Sequence, residues 1–296
     1  MSKILVTGAT GTIGSILVPR LTSGGHSVRA LVHNPERAPQ IAGTGAEVVS
    51  ADFADQLSIR AGLRGVDAVF LACGNVPQQV AYECAVIDEA ARSGVGRIVK
   101  LSARGAQLGS PVAYWDWHAQ IERHLEGSGI PSTVLRPGFL MTNLLASAGQ
   151  VRQQGSLFAP VADARIAMID PADVAAVAEV ALTDDGHQGN TYVLTGPAAI
   201  SYQQVAGELS AATGRPIGFV DIPPEAATSA MVAAGVPPFV AKQVGTVFDE
   251  LRLGVQAETT GTVPLITGQP ARPLAIFARN YAAAFRGIEA TSAVPG

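Results

Sequence analysis

Short apolar runs alternate with segments of helical periodicity along the first half of the chain. Each run is flanked by glycine or polar residues, as is typical of a buried strand. The predicted strands cover residues 3–7, 27–32, 47–50, 67–71, 97–101 and 132–135. The predicted helices between them include residues 12–23, 57–63, 80–91 and 112–126. Regular alternation of this kind indicates βαβ crossovers and therefore a parallel sheet.

The pattern becomes less regular after Pro137. Residues 138–168 show only weak periodicity, and residues 223–285 resemble helices joined by loops. Between them, helices are predicted at 170–182 and 201–212, and strands at 191–194 and 217–222. The last residues, 286–296, are expected to form a frayed tail. The second half is therefore expected to form a smaller α+β lobe.

A glycine-rich segment follows the first predicted strand. Gly8, Gly11 and Gly14 have G-x-x-G-x-x-G spacing and open the first predicted helix. In such a loop the first glycine allows the tight turn, the second lets a pyrophosphate approach the backbone, and the third lets the helix pack on the sheet. The helix N-terminus adds unpaired N–H donors. A purely structural turn is the alternative, but we predict pyrophosphate binding by Gly8, Thr10, Gly11, Thr12, Ile13 and Gly14.

This loop makes the fold prediction more specific. We predict an α/β protein with a Rossmann-type, doubly wound parallel sheet and a smaller C-terminal α+β lobe. Residues 1–137 would form the NAD(P)-binding core. Residues 138–296 would mostly form the substrate-binding lobe, with residues 170–196 returning to the core.

Composition excludes several other classes of protein. With 48% hydrophobic and 15% charged residues, the chain does not resemble a disordered one. A net charge of −4 gives no basic surface for nucleic acid. The two cysteines and five histidines show no zinc-ligand spacing, so no metal is expected. Without a signal peptide or an apolar run of about 18 residues, a cytoplasmic protein is expected, with a small-molecule substrate, no membrane partner, and a homodimer as one option.

The loop, together with five other segments, resembles the short-chain dehydrogenase/reductase superfamily, and in particular its atypical NmrA-like branch. These segments are Ala51-Asp52-Phe53, Ile98-Val99-Lys100-Leu101-Ser102, Ser132-Thr133-Val134-Leu135-Arg136-Pro137-Gly138, and the pair Asp170-Pro171-Ala172-Asp173-Val174-Ala175 and Tyr192-Val193-Leu194-Thr195-Gly196. The resemblance extends over about residues 3–285. That branch includes NADPH-dependent quinone reductases, triphenylmethane-dye reductase and a non-catalytic regulator.

The resemblance implies an NADPH-dependent oxidoreductase that reduces a quinone or a related planar aromatic or carbonyl compound by direct hydride transfer. A regulator that senses NAD(P) without turning it over is one alternative. An enzyme resembling nucleotide-sugar epimerases is another, weakened because Tyr-x-x-x-Lys is missing. The resemblance also implies that further loops bind the cofactor. These loops contain Asp52 and Phe53 beside adenine, Ala72, Cys73 and Gly74 after the fourth strand, and Pro137, Gly138 and Phe139 beside nicotinamide.

The residues after the second strand bear on the choice of cofactor. NAD-specific sites place a carboxylate there for the ribose 2′-hydroxyl. This chain has His33 instead, followed by Asn34 and, three residues further on, Arg37. These three side chains could hold a 2′-phosphate, whereas Glu36 is expected to face water. We therefore predict NADP rather than NAD.

The candidate catalytic residues lie on the fourth helix and at the end of the fifth strand. Tyr114, His118 and Glu122 are spaced i, i+4 and i+8, so they share one helix face. Short-chain dehydrogenases have Tyr-x-x-x-Lys at this place, and His118 replaces the lysine. Quinone reductases of the NmrA-like branch instead have a His-x-x-x-Glu pair at this place, which His118 and Glu122 resemble. We predict His118, Tyr114 and Ser102 as catalytic residues, with Glu122 as an acceptor that orients its neighbours.

Overall fold

The computed structural model describes residues 2–286. This part of the chain forms strands β1 (Lys3–Val6), β2 (Ser27–Val32), β3 (Glu47–Ser50), β4 (Ala68–Leu71), β5 (Arg97–Leu101), β6 (Ser132–Pro137), β7 (Ser156–Ala159), β8 (Thr191–Leu194) and β9 (Gly218–Asp221). Seven of them form one sheet in the order β3-β2-β1-β4-β5-β6-β8, with every neighbouring pair parallel. This is the predicted Rossmann-type doubly wound sheet, and the fold prediction is confirmed.

The helices connect these strands. Their bounds are α1 (Gly14–Ser23), α2 (Gln56–Gly62), α3 (Gln79–Arg92), α4 (Ala113–Gly127), α5 (Ala148–Gln154), α6 (Pro171–Thr183), α7 (Tyr202–Thr213), α8 (Pro224–Ala233), α9 (Pro238–Arg252), α10 (Thr262–Thr267), α11 (Leu274–Asn280) and α12 (Ala282–Phe285). Short 3₁₀ helices cover Pro35–Gln40 and Met141–Ser147.

The described chain divides into two compact units. Unit 1 contains the residues up to Gly138 together with Pro171–Thr195 and Thr260–Ala271. Unit 2 contains Phe139–Asp170, Gly196–Thr259 and the described residues from Arg272 onward. The sequence analysis did not assign the segment around α10 to the core.

Unit 1 contains the seven-stranded sheet and the helices on its faces. Strand β4 is apolar and buried along its whole length, and β1 is apolar and buried after Lys3, as is typical of helix-covered parallel strands. On one face, Leu5, Val69 and Ile98 pack with Val86 of α3 and Ile121 of α4. The strand order reverses between β1 and β4, and ligands of such sheets bind at the carboxyl ends of the strands at this switch point.

Unit 2 has its own core. Its two-stranded parallel sheet pairs β7 with β9, and Ser156 is aligned with Gly218. Leu157, Val205, Leu209 and Phe277 are fully buried in its apolar cluster. The sequence analysis predicted a strand at 217–222 but none at 156–159. The frayed tail predicted for 286–296 lies almost entirely outside the described residues.

Candidate active site

The glycine loop turns sharply between β1 and α1. Gly8 has a φ of +58°, which favours glycine, and the Gly11 N–H donates to the Gly8 carbonyl at 2.9 Å. A Cβ on Gly14 would lie 2.2 Å from the same carbonyl oxygen and 2.8 Å from Cα of Ala9. Only glycine therefore fits at position 14, and it brings the start of α1 against the loop.

The N-terminus of α1 is uncapped. No side chain accepts a hydrogen bond at its N-cap residue, Ile13. The first intrahelical bonds run from Ser15 N–H to Gly11 and from Leu17 N–H to Ile13. Because these bonds occupy the amides of Ser15 and Leu17, the donors that a phosphate group needs would be the preceding amides at the start of the helix, those of Thr12, Ile13 and Gly14. Ile13 itself is buried, so its contribution to a ligand would come from its backbone.

Thr7 attaches the end of β4 to the glycine loop. Its hydroxyl accepts from the Ala72 N–H at 2.7 Å, and its one proton is within reach of two carbonyls, that of Ala72 at 2.9 Å and that of Phe70 at 3.1 Å. The Ala72 carbonyl would be 3.1 Å from a Cβ on Gly8. Two of the loops predicted to bind the cofactor are therefore adjacent. Cys73 is half-buried and Gly74 is exposed in the segment that follows.

The residues after β2 lie on the surface near the end of β3. His33, Asn34, Glu36 and Arg37 are exposed. His33 Nδ1 lies 3.7 Å from Oδ1 of Asp52. The Asn34 side chain accepts from the Glu36 N–H at 3.0 Å and caps the 3₁₀ helix that follows. The structure thus brings His33 and Asp52 together, whereas Asn34 has a structural contact.

Phe53 extends the same edge of the sheet toward α3. It is half-buried, and its ring centroid lies 6.1 Å from that of Tyr82 in a tilted arrangement. An aromatic surface beside an exposed polar rim is a suitable contact for a flat heterocycle.

The end of β6 is held by backbone hydrogen bonds. The Arg104 N–H donates to the Pro137 carbonyl at 2.8 Å, and the Gly138 N–H donates to the Leu194 carbonyl at 2.9 Å. Gly138 is the last residue of this segment of unit 1. Phe139, the first residue of unit 2, donates its N–H to Oε1 of Gln256 at 2.8 Å. The Phe139 amide is therefore already engaged within its own unit.

Helix α4 carries all three residues that were predicted to share one face. Glu122 binds the guanidinium of Arg136 through both carboxylate oxygens, with Arg136 Nε at 3.0 Å from Oε1, and it also accepts from the Ser102 hydroxyl. Glu122 thus orients its neighbours as predicted from the sequence. It ties α4 to the carboxyl ends of β5 and β6. Because the Ser102 proton is donated to Glu122, Ser102 is held in place within the protein.

His118 belongs to a buried polar cluster that the sequence analysis missed. Nζ of Lys100 lies 2.8 Å from Oε2 of Glu83 and 3.2 Å from Nδ1 of His118, and it donates to the Leu101 carbonyl. Gln79 Nε2 donates to Glu83 Oε1 at 3.0 Å. Lys100 and Glu83 have no exposed side-chain surface. We call Gln79, Glu83, Lys100 and His118 the buried cluster.

Burial shifts the proton equilibria in this cluster. Desolvation, followed by the charge of Lys100, holds the pKa of His118 well below its usual value. His118 is therefore neutral at neutral pH and cannot act as the permanent cation that lysine provides in Tyr-x-x-x-Lys. Burial also raises the pKa of Glu83, and the adjacent Lys100 opposes that shift.

Tyr114 lies one turn before His118 and is buried. Desolvation raises the pKa of its hydroxyl. Its ring contacts Trp117 edge-on, with centroids 5.4 Å apart. Trp115 packs against Gly105, where a Cβ would come within 2.6 Å of the indole.

Three further features of the described chain concern metal binding, cysteine reactivity and membrane-spanning helices. Among residues 2–286, no group of three or more His, Cys, Asp or Glu side chains could hold a metal ion. Burial, followed by the charge of Glu83, raises the pKa of the Cys73 thiol to about 12, so this cysteine is a poor nucleophile. None of the helices in this part of the chain is both long and apolar enough to span a membrane.

Comparison with known proteins relates this chain to reductases. The chain is 38% identical over 282 residues to an NAD(P)H azoreductase of Xenophilus azovorans, with 95% of this chain and 99% of the relative covered. It is 40% identical over 286 residues to (4-alkanoyl-5-oxo-2,5-dihydrofuran-3-yl)methyl phosphate reductase of Streptomyces griseus, with 95% and 99% covered.

A solved structure extends the likeness to three dimensions. The NADPH-dependent quinone oxidoreductase of Escherichia coli in complex with NADPH superimposes with a TM-score of 0.86 at 29% identity. The match covers 94% of this chain and 99% of that one. In addition, the model of the NmrA-like family matches residues 1–252. The chain therefore belongs to the NmrA-like family.

Proposed function

We propose that this protein is an NAD(P)H-dependent oxidoreductase that prefers NADPH and reduces a quinone or a related planar aromatic or carbonyl compound. The observation that carries the proposal is the uncapped N-terminus of α1 behind a loop in which Gly14 admits no side chain and Gly8 has a positive φ. The similarity to reductases named for NAD(P)H or NADPH supports it independently.

The glycine loop fits a dinucleotide pyrophosphate. Gly8 and Gly14 keep the loop compact, and Gly11 leaves its surface without a side chain beside the first-turn amides. Thr12 is exposed at this position, and Thr10 is half-buried. The backbone N–H groups and the partial positive charge of α1 would hold the phosphates.

The exposed residues after β2 fit the 2′-phosphate of NADPH. A carboxylate directly after Val32 would repel a 2′-phosphate, and this chain has His33 at that position instead. His33 and Arg37 are exposed and can donate to phosphate oxygens, whereas the Asn34 oxygen already accepts from Glu36. Asp52, at 3.7 Å from His33, would keep that imidazole oriented. Phe53 would provide an apolar contact for adenine.

Reduced nicotinamide, when bound, supplies a hydride to the acceptor. The contribution of this chain is to hold that ring and the acceptor in register, because proximity and orientation lower the barrier of such a transfer. Ala72 and Cys73 directly follow β4, while Pro137 ends β6 and Gly138 follows it. The nicotinamide ring would lie beside these residues, at the carboxyl ends of the strands.

The buried cluster favours an acceptor that needs little acid catalysis. A tyrosine acid requires a nearby cation to lower its pKa, whereas burial raises the pKa of Tyr114 and His118 is neutral. A reduced quinone leaves as a stabilised anion and takes its proton from water. Direct hydride transfer to such an electron-poor acceptor therefore demands less of Tyr114 than reduction of an ordinary ketone.

The test is to measure NADPH and NADH binding by calorimetry and then to follow NAD(P)H oxidation with a panel of quinones, azo dyes and simple ketones. We expect tighter binding of NADPH and oxidation that depends on quinone. Tight cofactor binding without oxidation by any acceptor would indicate a cofactor-sensing regulator instead. Absence of binding would refute the proposal.

A further inference from the structure

We propose that Lys100 is a positioning residue that fixes His118 in the neutral form with its proton on Nε2. His118 then serves as a hydrogen-bond donor throughout the working pH range. The proposal rests on the proposed function only for the recipient of that hydrogen bond, which would be the nicotinamide ribose or the acceptor. The state of His118 itself follows from the buried cluster.

The Lys100 ammonium has three partners within the protein. It donates to the Leu101 carbonyl, lies 3.2 Å from Nδ1 of His118 and forms an ion pair with Glu83, whose Oε2 is 2.8 Å away. An ammonium group donates hydrogen bonds and accepts none. His118 Nδ1 must therefore present a lone pair to Lys100. Because Lys100 has no exposed side-chain surface, it is not available to a ligand, unlike the lysine of Tyr-x-x-x-Lys.

A second donor faces the same nitrogen. Gln79 Nε2 lies 3.5 Å from His118 Nδ1 and 3.0 Å from Oε1 of Glu83. The opposite orientation of the amide would place its oxygen against the Glu83 carboxylate, so the contact with Glu83 sets the orientation of Gln79. A proton on His118 Nδ1 would therefore oppose two N–H groups. The neutral imidazole must carry its proton on Nε2.

Three elements of unit 1 contribute to this arrangement. Gln79 and Glu83 are one turn apart on α3, Lys100 is the fourth of the five residues of β5, and His118 is on α4. Lys100 and Glu83 pair without any exposed side-chain surface, and the ammonium also lies against the imidazole. A buried lysine requires such partners, and through them Lys100 links α3 to His118 on α4.

Several other titratable or charged groups surround the imidazole or its partners. They are Tyr114 and Glu122 on α4, Arg136 on β6, and Cys73 and Cys84 near Glu83. Glu122 is already bound by Arg136 and Ser102. Burial is the larger cause of the lowered pKa of His118, and the charge of Lys100 acts in the same direction. Removing Lys100 would take away both that charge and the hydrogen bond to Nδ1.

The direct test is nitrogen NMR of histidine-labelled protein without cofactor. His118 is assigned among the five histidines by the signal lost in His118→Gln. We expect the wild type to show the Nε2–H tautomer with no titration between about pH 5 and pH 8, the window in which an ordinary histidine changes charge. A proton on Nδ1, or a titration in this window, would overturn the proposal.

Lys100→Met provides the second arm, with Lys242→Met as the control because Lys242 is exposed on α9. We expect the pKa of His118 to be higher in Lys100→Met than in the wild type and part of the imidazole to carry its proton on Nδ1, whereas Lys242→Met should match the wild type. Should Lys100→Met not fold, Lys100→Met/Glu83→Gln removes both charges. That variant should show a measurable population of the Nδ1–H tautomer, and an unchanged spectrum in the folded variant would overturn the proposal.

The same samples separate this proposal from the proposed function. Failure of the wild type to bind NADPH would refute the function but leave the tautomer result intact. If NADPH binds, its addition should shift His118 Nε2 in the wild type. A shift confined to the other four histidines would refute the role of His118 as a donor to the ligand.

Discussion

Lys100 and Glu83 form an ion pair with no solvent-exposed surface, and Nζ of the lysine lies 2.8 Å from Oε2 of the glutamate. Removing one member of such a pair leaves the other charge buried without its partner. We therefore predict that Glu83→Gln destabilises the protein by about 3–5 kcal/mol.

Chemical denaturation of the variant measures this loss. The matched control is Asp88→Asn, which removes the carboxylate of an exposed pair with His124 on the neighbouring helix. This control should change the free energy of unfolding by less than about 1 kcal/mol. Equal effects of the two substitutions would show that the buried pair has no special structural importance.

Gly11→Asp should abolish binding of the cofactor. The substitution introduces a carboxylate and a Cβ where we propose that phosphates meet the backbone, and the Cβ would lie 3.1 Å from the Gly8 carbonyl. Calorimetric titration with NADPH measures the effect. Gly207→Asp on the exposed face of α7, where a Cβ meets nothing within 4 Å, is the control and should bind normally. Unchanged affinity in folded Gly11→Asp would contradict phosphate binding by this loop.

Arg37→Ala should reduce the preference for NADPH over NADH. A charge-assisted contact with the 2′-phosphate contributes about 1.5–3 kcal/mol, or roughly 10- to 150-fold in affinity. The dissociation constants of both cofactors are compared in the wild type, in Arg37→Ala and in Arg64→Ala, whose arginine is also exposed in unit 1. Only Arg37→Ala should lose the preference. Equal binding of NADH and NADPH by the wild type would show that the predicted NADP specificity is wrong.

Tyr114→Phe should retain most of its turnover, whereas His118→Ala should lose more. If the acceptor needs no tyrosine acid, the loss in Tyr114→Phe stays well below the ~100-fold that removal of a general acid costs. His118→Ala removes the donor held by Lys100, and small displacements of bound reactants can cost ~100-fold. Both variants are compared by kcat at saturating NADPH. An inactive Tyr114→Phe beside a nearly normal His118→Ala would indicate a tyrosine acid.

The sequence predicted the doubly wound parallel sheet because most of its strands are short apolar runs that local patterning identifies. The strand β7 was missed because Ser156–Ala159 is stabilised by pairing with β9, which lies far along the chain. Local periodicity carries no information about such a partner.

The candidate site could be predicted from the sequence where the arrangement depends on the spacing of residues within one segment. The glycine loop and the shared face of Tyr114, His118 and Glu122 depend only on spacing. The buried cluster was missed because the contact between Lys100 and Glu83 depends on the tertiary packing of α3 against β5 and α4. One signal was present in the sequence: a lysine in the otherwise apolar run Ile98–Leu101 requires a buried partner.

The most direct test of the proposed function is a single-turnover experiment under anaerobic conditions. NADPH is bound to excess purified protein without added flavin, mixed rapidly with a simple quinone, and followed by the loss of nicotinamide absorbance and the appearance of hydroquinone. Direct hydride transfer predicts that one hydroquinone forms for each NADPH consumed. Gly11→Asp should abolish this reaction. Stable bound NADPH in the presence of every quinone tested would contradict the proposed oxidoreductase activity.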